Sequence, residues 1–303
     1  MAEYPEFILA HGCLGPVSFE ERIRAAAEAG FTAIGYSVLE FNALAAEGVT
    51  LDDLTGTLKA HGVRVSELEI ALGFDAGFNE PGAGAPPRWG PPSFPFDVPC
   101  FDGATQVALL EMVERLGPDH VNVLGTYGPG GSRAGERMAA LCDRVSAHGA
   151  TVAVEFMAGT SVPDVPTAVG LLADVDRANA GVCLDTWHYE RGAHAPGALD
   201  ALASDRVTVV QISDGPRRPA NPDDYFAETM HLRRFPGDGE WDLVGMLRGL
   251  VARGVRAPWS IEVLSDEVQA MDPGAAARAL RASLDQLARE VFADLPNAGP
   301  VGI

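Results

Sequence analysis

Lysine is almost missing from this 303-residue chain: Lys59 is the one example. Its position, on what reads as the surface of a helix, disfavours a Schiff-base mechanism, which needs a buried lysine at a strand end. Positive charge is short in general. Twenty-two Lys and Arg face 42 Asp and Glu, a formal net charge of −20, which disfavours an unassisted nucleic-acid binder. That balance suits a protein handling small molecules or metal cations. The 4 cysteines, Cys13, Cys100, Cys142 and Cys183, are scattered and form no Cys-x-x-Cys pair. They are expected to be buried free thiols in a reducing cytoplasm rather than disulfides or ligands. No apolar run is long enough to span a membrane, and the acidic opening Met1 to Glu6 does not resemble a secretion signal. A Gly-rich dinucleotide fingerprint is missing too.

What the chain does have is a regular alternation of short apolar runs with helix signals. Strands are predicted at Phe7–Ala10, Phe31–Ser37, Val63–Leu72, Val121–Leu124, Val152–Phe156, Val182–Leu184, Val207–Gln211 and Trp259–Val263. Helices fall between them, at about 18–29, 50–62, 104–116, 132–148, 166–180, 196–203, 242–253 and 274–292, the first opened by a capping box at Ser18 to Glu21. Eight such units predict a parallel sheet closed into a (β/α)8 TIM barrel, one α/β domain over residues 1–303, with a doubly wound open sheet as the main rival. Residues 73–102 break the rhythm. This stretch is rich in Gly and Pro and carries Trp89, Phe94 and Phe96, which favours a lid over a disordered tether.

In a closed parallel barrel, reactive groups sit at the C-terminal ends of the strands. The last four strands deliver Glu155, Asp185, Gln211 and Glu262 there, each directly after apolar residues. One such acid alone is as readily a paired structural carboxylate. Three in one pocket would repel and have their pKa values raised, and a divalent cation resolves the repulsion. An all-oxygen set of this kind suits Mg²⁺ or Mn²⁺, with Co²⁺ or Zn²⁺ as further options. His188 lies just past the strand end, facing either a substrate oxygen or the loop backbone. Arg217 follows Gln211 in Ile212–Arg217, where it either holds a hydroxyl or carboxylate of the substrate or is solvated; Arg218 is not separable from it by sequence. His11 and Glu69, at the ends of early strands, are weaker candidates for lining the pocket. Trp89 and Phe94 are candidates for closing over a ring. Trp187 reads as a core or pocket-wall aromatic, and no role is assigned to Tyr225.

The segments Val154-Glu155-Phe156, Leu184-Asp185-Thr186-Trp187-His188, Val210-Gln211-Ile212-Ser213-Asp214, Phe235-Pro236-Gly237-Asp238-Gly239-Glu240 and Ile261-Glu262-Val263 together resemble the xylose isomerase-like TIM-barrel superfamily. This is the group of sugar phosphate isomerases and epimerases that also includes endonuclease IV. The resemblance spans most of the chain and is strongest from 151 to 267. It implies that the Glu, Asp, His-or-Gln and Glu metal ligands of ketose 3-epimerases correspond to Glu155, Asp185, Gln211 and Glu262. It also implies that His188 and Arg217 hold the substrate. One departure affects the substrate: most ketose epimerases carry histidine where this chain has Gln211. Glutamine there is similar to hydroxypyruvate isomerases and some 3-dehydroshikimate dehydratases. A three-zinc endonuclease site does not fit, because few of the 7 histidines sit at strand ends.

The function expected from the resemblance is that of a metal-dependent isomerase or epimerase of a sugar or related hydroxy-ketone. Glu155 and Glu262 form the acid/base pair, and the charge that develops next to the carbonyl is stabilised as an enediolate. A hydro-lyase of the dehydroshikimate or inosose dehydratase type is the alternative, and a non-catalytic metal-binding barrel is the third reading. A small sugar-like molecule is the expected partner, without nucleic acid or membrane, and homo-oligomerisation is left open.

Overall fold

The computed structural model describes residues 4–77, 84–91, 98–192 and 197–293. Eight strands run in chain order: β1 (Phe7–Leu9), β2 (Ala33–Ser37), β3 (Arg64–Leu72), β4 (His120–Leu124), β5 (Thr151–Glu155), β6 (Ala180–Asp185), β7 (Val207–Ile212) and β8 (Trp259–Ile261). Each pairs in parallel with the next, and β1 pairs with β8, so the sheet is a closed barrel rather than an open doubly wound sheet. The helices are α1 (Phe19–Glu28), α2 (Val38–Ala46), α3 (Leu51–His61), α4 (Gly103–Leu116), α5 (Ala134–Ser146), α6 (Val165–Val175), α7 (Thr186–Arg191), α8 (Tyr225–His231), α9 (Leu243–Ala252), α10 (Asp266–Gln269) and α11 (Pro273–Phe292). None of the described helices is long and apolar enough to cross a membrane.

The strands read as continuous apolar runs because helices cover their outer side and the barrel fills their inner side. Ile8, Ala33, Ala153, Cys183 and Val209 make a small apolar cluster of their own. The main core is larger, joining the outward strand residues to helix faces such as Ile23, Leu54, Met112, Leu141 and Leu284. The interior also departs from apolar filling: Ser66, Glu67, His120, Asn122, Gln211 and Ser260 are all buried polar groups contributed by strands. Strand register then brings the chemistry to one rim. Glu155 pairs with Cys183 and Asp185 with Gln211, while the Glu262 amide donates to the Ile212 carbonyl at 2.9 Å.

Several local features differ from the sequence expectation, among them the unpredicted helices α2 and α10. The helix expected over 196–203 is a single 3₁₀ turn, Ala198–Ala201, with residues 193–196 outside the described set. α7 begins directly at the end of β6, because the Asp185 side chain accepts from the Trp187 amide at 2.8 Å and caps it. α8 lies within the long segment after β7, started by Asp224 accepting from the Ala227 amide. In the stretch 73–102, Trp89 is 3% exposed and donates its indole N–H to the Gly125 carbonyl at 3.0 Å. Phe94 and Phe96 lie outside the described residues.

The cysteines are all free and buried. Burial pushes the Cys100 thiol up to about 11 and the Cys142 thiol to about 12. A thiol reagent at pH 8 is therefore expected to label the native protein slowly and to titrate all 4 thiols after unfolding. Asp214, fully buried, accepts from the Gly215, Gly237 and Trp241 amides at 2.8, 3.0 and 3.3 Å. Asp214→Ala would strand three donors and is expected to cost about 2–4 kcal/mol, read as a lowered urea midpoint.

Candidate active site

A cavity of about 210 Å³ opens at the C-terminal ends of the strands. Its polar lining comes from His11, Glu69, Glu155, His188, Gln211, Arg233 and Glu262. The apolar wall is built from Ile70, Leu72, Trp89, Leu124, Met157 and Phe226. The Trp89 and Phe226 rings meet edge to face at 5.8 Å.

Asp185 organises one side of this site by dividing its two oxygens. Oδ1 caps α7 at the Trp187 amide, which leaves Oδ2 free to face Arg233 Nη1 at 2.9 Å and His188 Nε2 at 3.3 Å. The first turn of α7 folds His188 back over the strand ends, where Nε2 also lies 3.0 Å from Glu155 Oε1. The other ring nitrogen, Nδ1, is hydrogen-bonded to the Tyr225 hydroxyl on α8. One ligand-type atom each from Glu155, Asp185 and His188 lie within 4.8 Å of one another, all three residues buried. That is a spacing able to hold a metal ion. His188, rather than Glu262, completes this tightest group.

Arg233, 2% exposed, is a charged cavity-lining residue that sequence reasoning missed. Its Nη1 bridges Asp185 Oδ2 and Glu262 Oε2 at 2.9 Å each, and its Nε donates to the Thr229 carbonyl at 3.0 Å. The signal for it is faint, because Arg233 and Arg234 are adjacent and chemically identical. They are separated by extended backbone: the Arg234 amide and carbonyl bridge to Asp214, whereas the Arg233 amide bonds the Leu264 carbonyl, so successive side chains point to opposite sides. Arg217 corrects the sequence expectation. It is exposed, outside the cavity, and donates its amide to Glu240 Oε2 at 2.7 Å and its Nη2 to the Glu240 carbonyl at 3.3 Å. The cause is Asp214, whose side chain binds the Gly215 amide and turns the chain away from the mouth before Arg217 is reached.

The remaining candidates are placed as follows. His11 and Glu69 line the cavity from the ends of β1 and β3, and Trp89 lines it from the long connection. Gln211 donates Nε2–H to Glu67 Oε1 at 3.3 Å and accepts from the Cys183 thiol at 3.1 Å. Trp187 is fully buried with its indole N–H on Thr229 Oγ1 at 3.1 Å, a core role. Tyr225, unassigned from sequence, is the hydroxyl that holds His188.

Electrostatics follow from crowding. Burial pushes the Glu262 carboxyl well above the usual carboxylate range, and Asp185, Glu69 and Glu155 add to that shift while Arg233 opposes it. Burial also works against the Arg233 charge, but Asp185, Glu262 and Glu155 more than offset it and raise its pKa, so Arg233 is a fixed cation. A raised carboxylate takes up its proton earlier in the folded than in the unfolded chain, so its ionisation weakens the fold as pH rises. In metal-chelated buffer Glu262→Gln is therefore expected to melt above the wild type at pH 7–8, with the difference closing as pH falls towards the ordinary value of 4.5. Melting curves across that range are the check.

Comparisons with known proteins bear on the family and the fold. Over 131 residues the chain is 33% identical to a 3-dehydroshikimate dehydratase of Pseudomonas aeruginosa, a match covering 43% of this chain and 20% of that protein. The chain thus corresponds to about a fifth of the length of that curated relative. Among solved structures, the IolI protein with a bound zinc atom superposes with a TM-score of 0.78 at 16% identity, covering 95% of this chain and 99% of that one. D-psicose 3-epimerase from Clostridium cellulolyticum H10, solved with D-tagatose, gives 0.66 at 14% identity over 94% and 98% of the two chains. These two likenesses show the fold alone. The model of the xylose isomerase-like TIM barrel matches residues 23–288, and this chain belongs to that family.

Proposed function

We propose that this barrel is a metal-assisted hydro-lyase acting on a small hydroxylated ring that carries a ketone, of the 3-dehydroshikimate class. The observation that carries the reading is the mixed lining of the cavity: Glu155, His188, Arg233 and Glu262 share it with Ile70, Leu72, Trp89, Leu124, Met157 and Phe226, which pack together as an apolar wall. A cyclic enone offers that wall an apolar face. An open-chain ketose would bury hydroxyls against it without partners, at a cost of roughly 1–3 kcal/mol each. The identity shared with a 3-dehydroshikimate dehydratase and the presence of Gln211 support the same choice.

The donor set fits a divalent cation. Glu155, Asp185 and His188 each bring a ligand-type atom within 4.8 Å of the others, and the buried acids around Arg233 outnumber it, which calls for more positive charge. Glu155, Asp185 and Glu262 would hold the ion with His188 beside them, while Gln211 spends its amide on Glu67 and Cys183; Mn²⁺, Mg²⁺ and Zn²⁺ are all compatible with such ligands. When bound, the cation supplies Lewis-acid stabilisation of the negative charge that grows on the carbonyl oxygen. The rest is done by this chain. Glu262, which lines the cavity, removes the proton beside the carbonyl, with Glu155 as its counterpart. Arg233 holds anionic oxygen of the substrate, and His188, fixed by Tyr225, orients a second oxygen. Trp89 and Phe226 keep bulk water out.

Epimerisation or isomerisation is the second reading, favoured by Glu155 and Glu262 both lining the cavity, one ending β5 and one following β8, so that a proton taken by one can be returned by the other. One experiment separates the two. Metal content is measured, and the Mn²⁺- or Zn²⁺-loaded protein is given 3-dehydroshikimate and a ketose panel in D₂O. The expected result is a new aromatic absorbance from the ring acid, abolished by chelation, with Glu155→Gln and Glu262→Gln each slower by about 10²–10⁴-fold. Proton exchange with ketoses alone would transfer the assignment to an epimerase, and no exchange with any compound would leave a non-catalytic barrel.

A further inference from the structure

A polar cluster that the proposed chemistry leaves unused joins the end of β1 to α1 and α2: His11, Arg22 and Glu40. His11 follows β1 and lines the cavity. Glu40, in the first turn of α2, faces His11 Nε2 at 2.9 Å and Arg22 Nη2 at 3.2 Å, both on Oε2. Arg22, 5% exposed on α1, also donates Nη1–H to the His11 carbonyl at 2.6 Å, so one guanidinium grips the histidine backbone and its side-chain partner together. The Tyr36 ring packs edge-on against the imidazole, with centroids 5.7 Å apart. Proton placement in the imidazole follows from these partners. A carboxylate that already faces an arginine only accepts, so the hydrogen lies on Nε2. The second nitrogen, Nδ1, then carries a lone pair, and it is buried with no hydrogen-bond partner among the described residues. Burial disfavours a second proton on the ring and the Arg22 charge adds to that, against the pull of Glu40, so the His11 pKa lies below its ordinary value of 6.5. An acceptor left unpaired at a cavity wall is costly, and a ligand is what supplies the donor there.

Resting on the hydro-lyase reading above, we propose that His11 Nδ1 accepts a hydrogen bond from the ring hydroxyl that survives the reaction, with Glu40 and Arg22 as the residues that position it. The surviving hydroxyl fits better than the departing one, because a leaving oxygen needs a proton and Nδ1 has none to give. His11 thereby sets specificity. A ring without that hydroxyl would leave Nδ1 unpaired on binding, and a site built around a hydrogen bond discriminates strongly against the analogue that cannot make it. Glu40 acts through His11: it fixes which nitrogen carries the hydrogen, and Arg22 holds Glu40 in its charged, accepting form.

Two ring acids test this on the Mn²⁺-loaded protein: 3,4-dihydroxybenzoate, which is what loss of water from 3-dehydroshikimate leaves, and 3-hydroxybenzoate, which lacks the surviving hydroxyl. Dissociation constants are measured by titration calorimetry. The wild type is expected to favour the dihydroxy acid by about 10–100-fold. In His11→Phe the preference is expected to shrink to within about threefold, through weaker binding of the dihydroxy acid alone. Glu40→Gln keeps the imidazole but reverses its tautomer: Arg22, a donor only, takes the amide oxygen, which turns the amide N–H towards Nε2 and moves the ring hydrogen to Nδ1. A phenol donates well and accepts poorly, so this variant is expected to lose most of the preference too, and nitrogen NMR of the imidazoles is to show the exchange of tautomer. A preference that survives in His11→Phe, or an equal loss of affinity for both acids, would overturn the assignment. So would a wild-type His11 with its hydrogen on Nδ1. Should His11→Phe not fold, Glu40→Gln decides, and an undiminished preference there counts against the proposal. A wild type that shows the Nε2–H tautomer yet binds neither acid instead overturns the hydro-lyase reading and, with it, the hydroxyl assigned to His11.

Discussion

Carboxylates are costly to bury unless cations, hydrogen-bond donors or protons answer their charge, and the mouth of this barrel buries four of them, Glu67, Glu155, Asp185 and Glu262, with Glu69 half-buried beside them. Arg233 stands between Asp185 and Glu262, His120, Gln211 and Ser260 surround Glu67, and His188 reaches Glu155 and Asp185. What remains is a deficit of positive charge on the β5–β6–β8 side, where a divalent ion would be held.

Backbone capping supplies the precision. Asp185 and Asp214 are fully buried acids that follow or end apolar strands, and both spend oxygens on main-chain amides. In Asp185 one oxygen is left for the site, so the helix cap and the active centre are aimed by the same side chain. In Asp214 both oxygens are consumed by the loop, at Gly215, Trp241 and Gly237. The two acids look alike in sequence and differ in function because of which amides the fold brings within reach.

Architecture was legible in the sequence to an unusual depth: the eight strands and the closed parallel order follow from apolar runs separated by helix signals, since strands covered on both sides need no polar alternation. Glu155, Asp185, Gln211 and Glu262 were legible as strand-end groups for the same reason. Short helices were less so. α7 and α8 have six and seven residues and are started by single aspartate caps, too little pattern to rise above the surrounding loop. Arg233 and Arg217 show the limit more sharply, because two arginines in Gly- and Pro-containing connections differ only in the direction the backbone gives them.

The sequence by itself determined the barrel, the strand ends and the acidic character of the mouth, all properties of local hydrophobic pattern and charge. Tertiary structure alone decided which arginine enters, that His188 joins Glu155 and Asp185 through the turn of α7, and that Tyr225 holds it. It also decided that Glu67 and Glu69 meet over Gly35 with His120 behind them. These are contacts between residues far apart in the chain, and their energies depend on burial and distance, quantities that exist only once the barrel has closed.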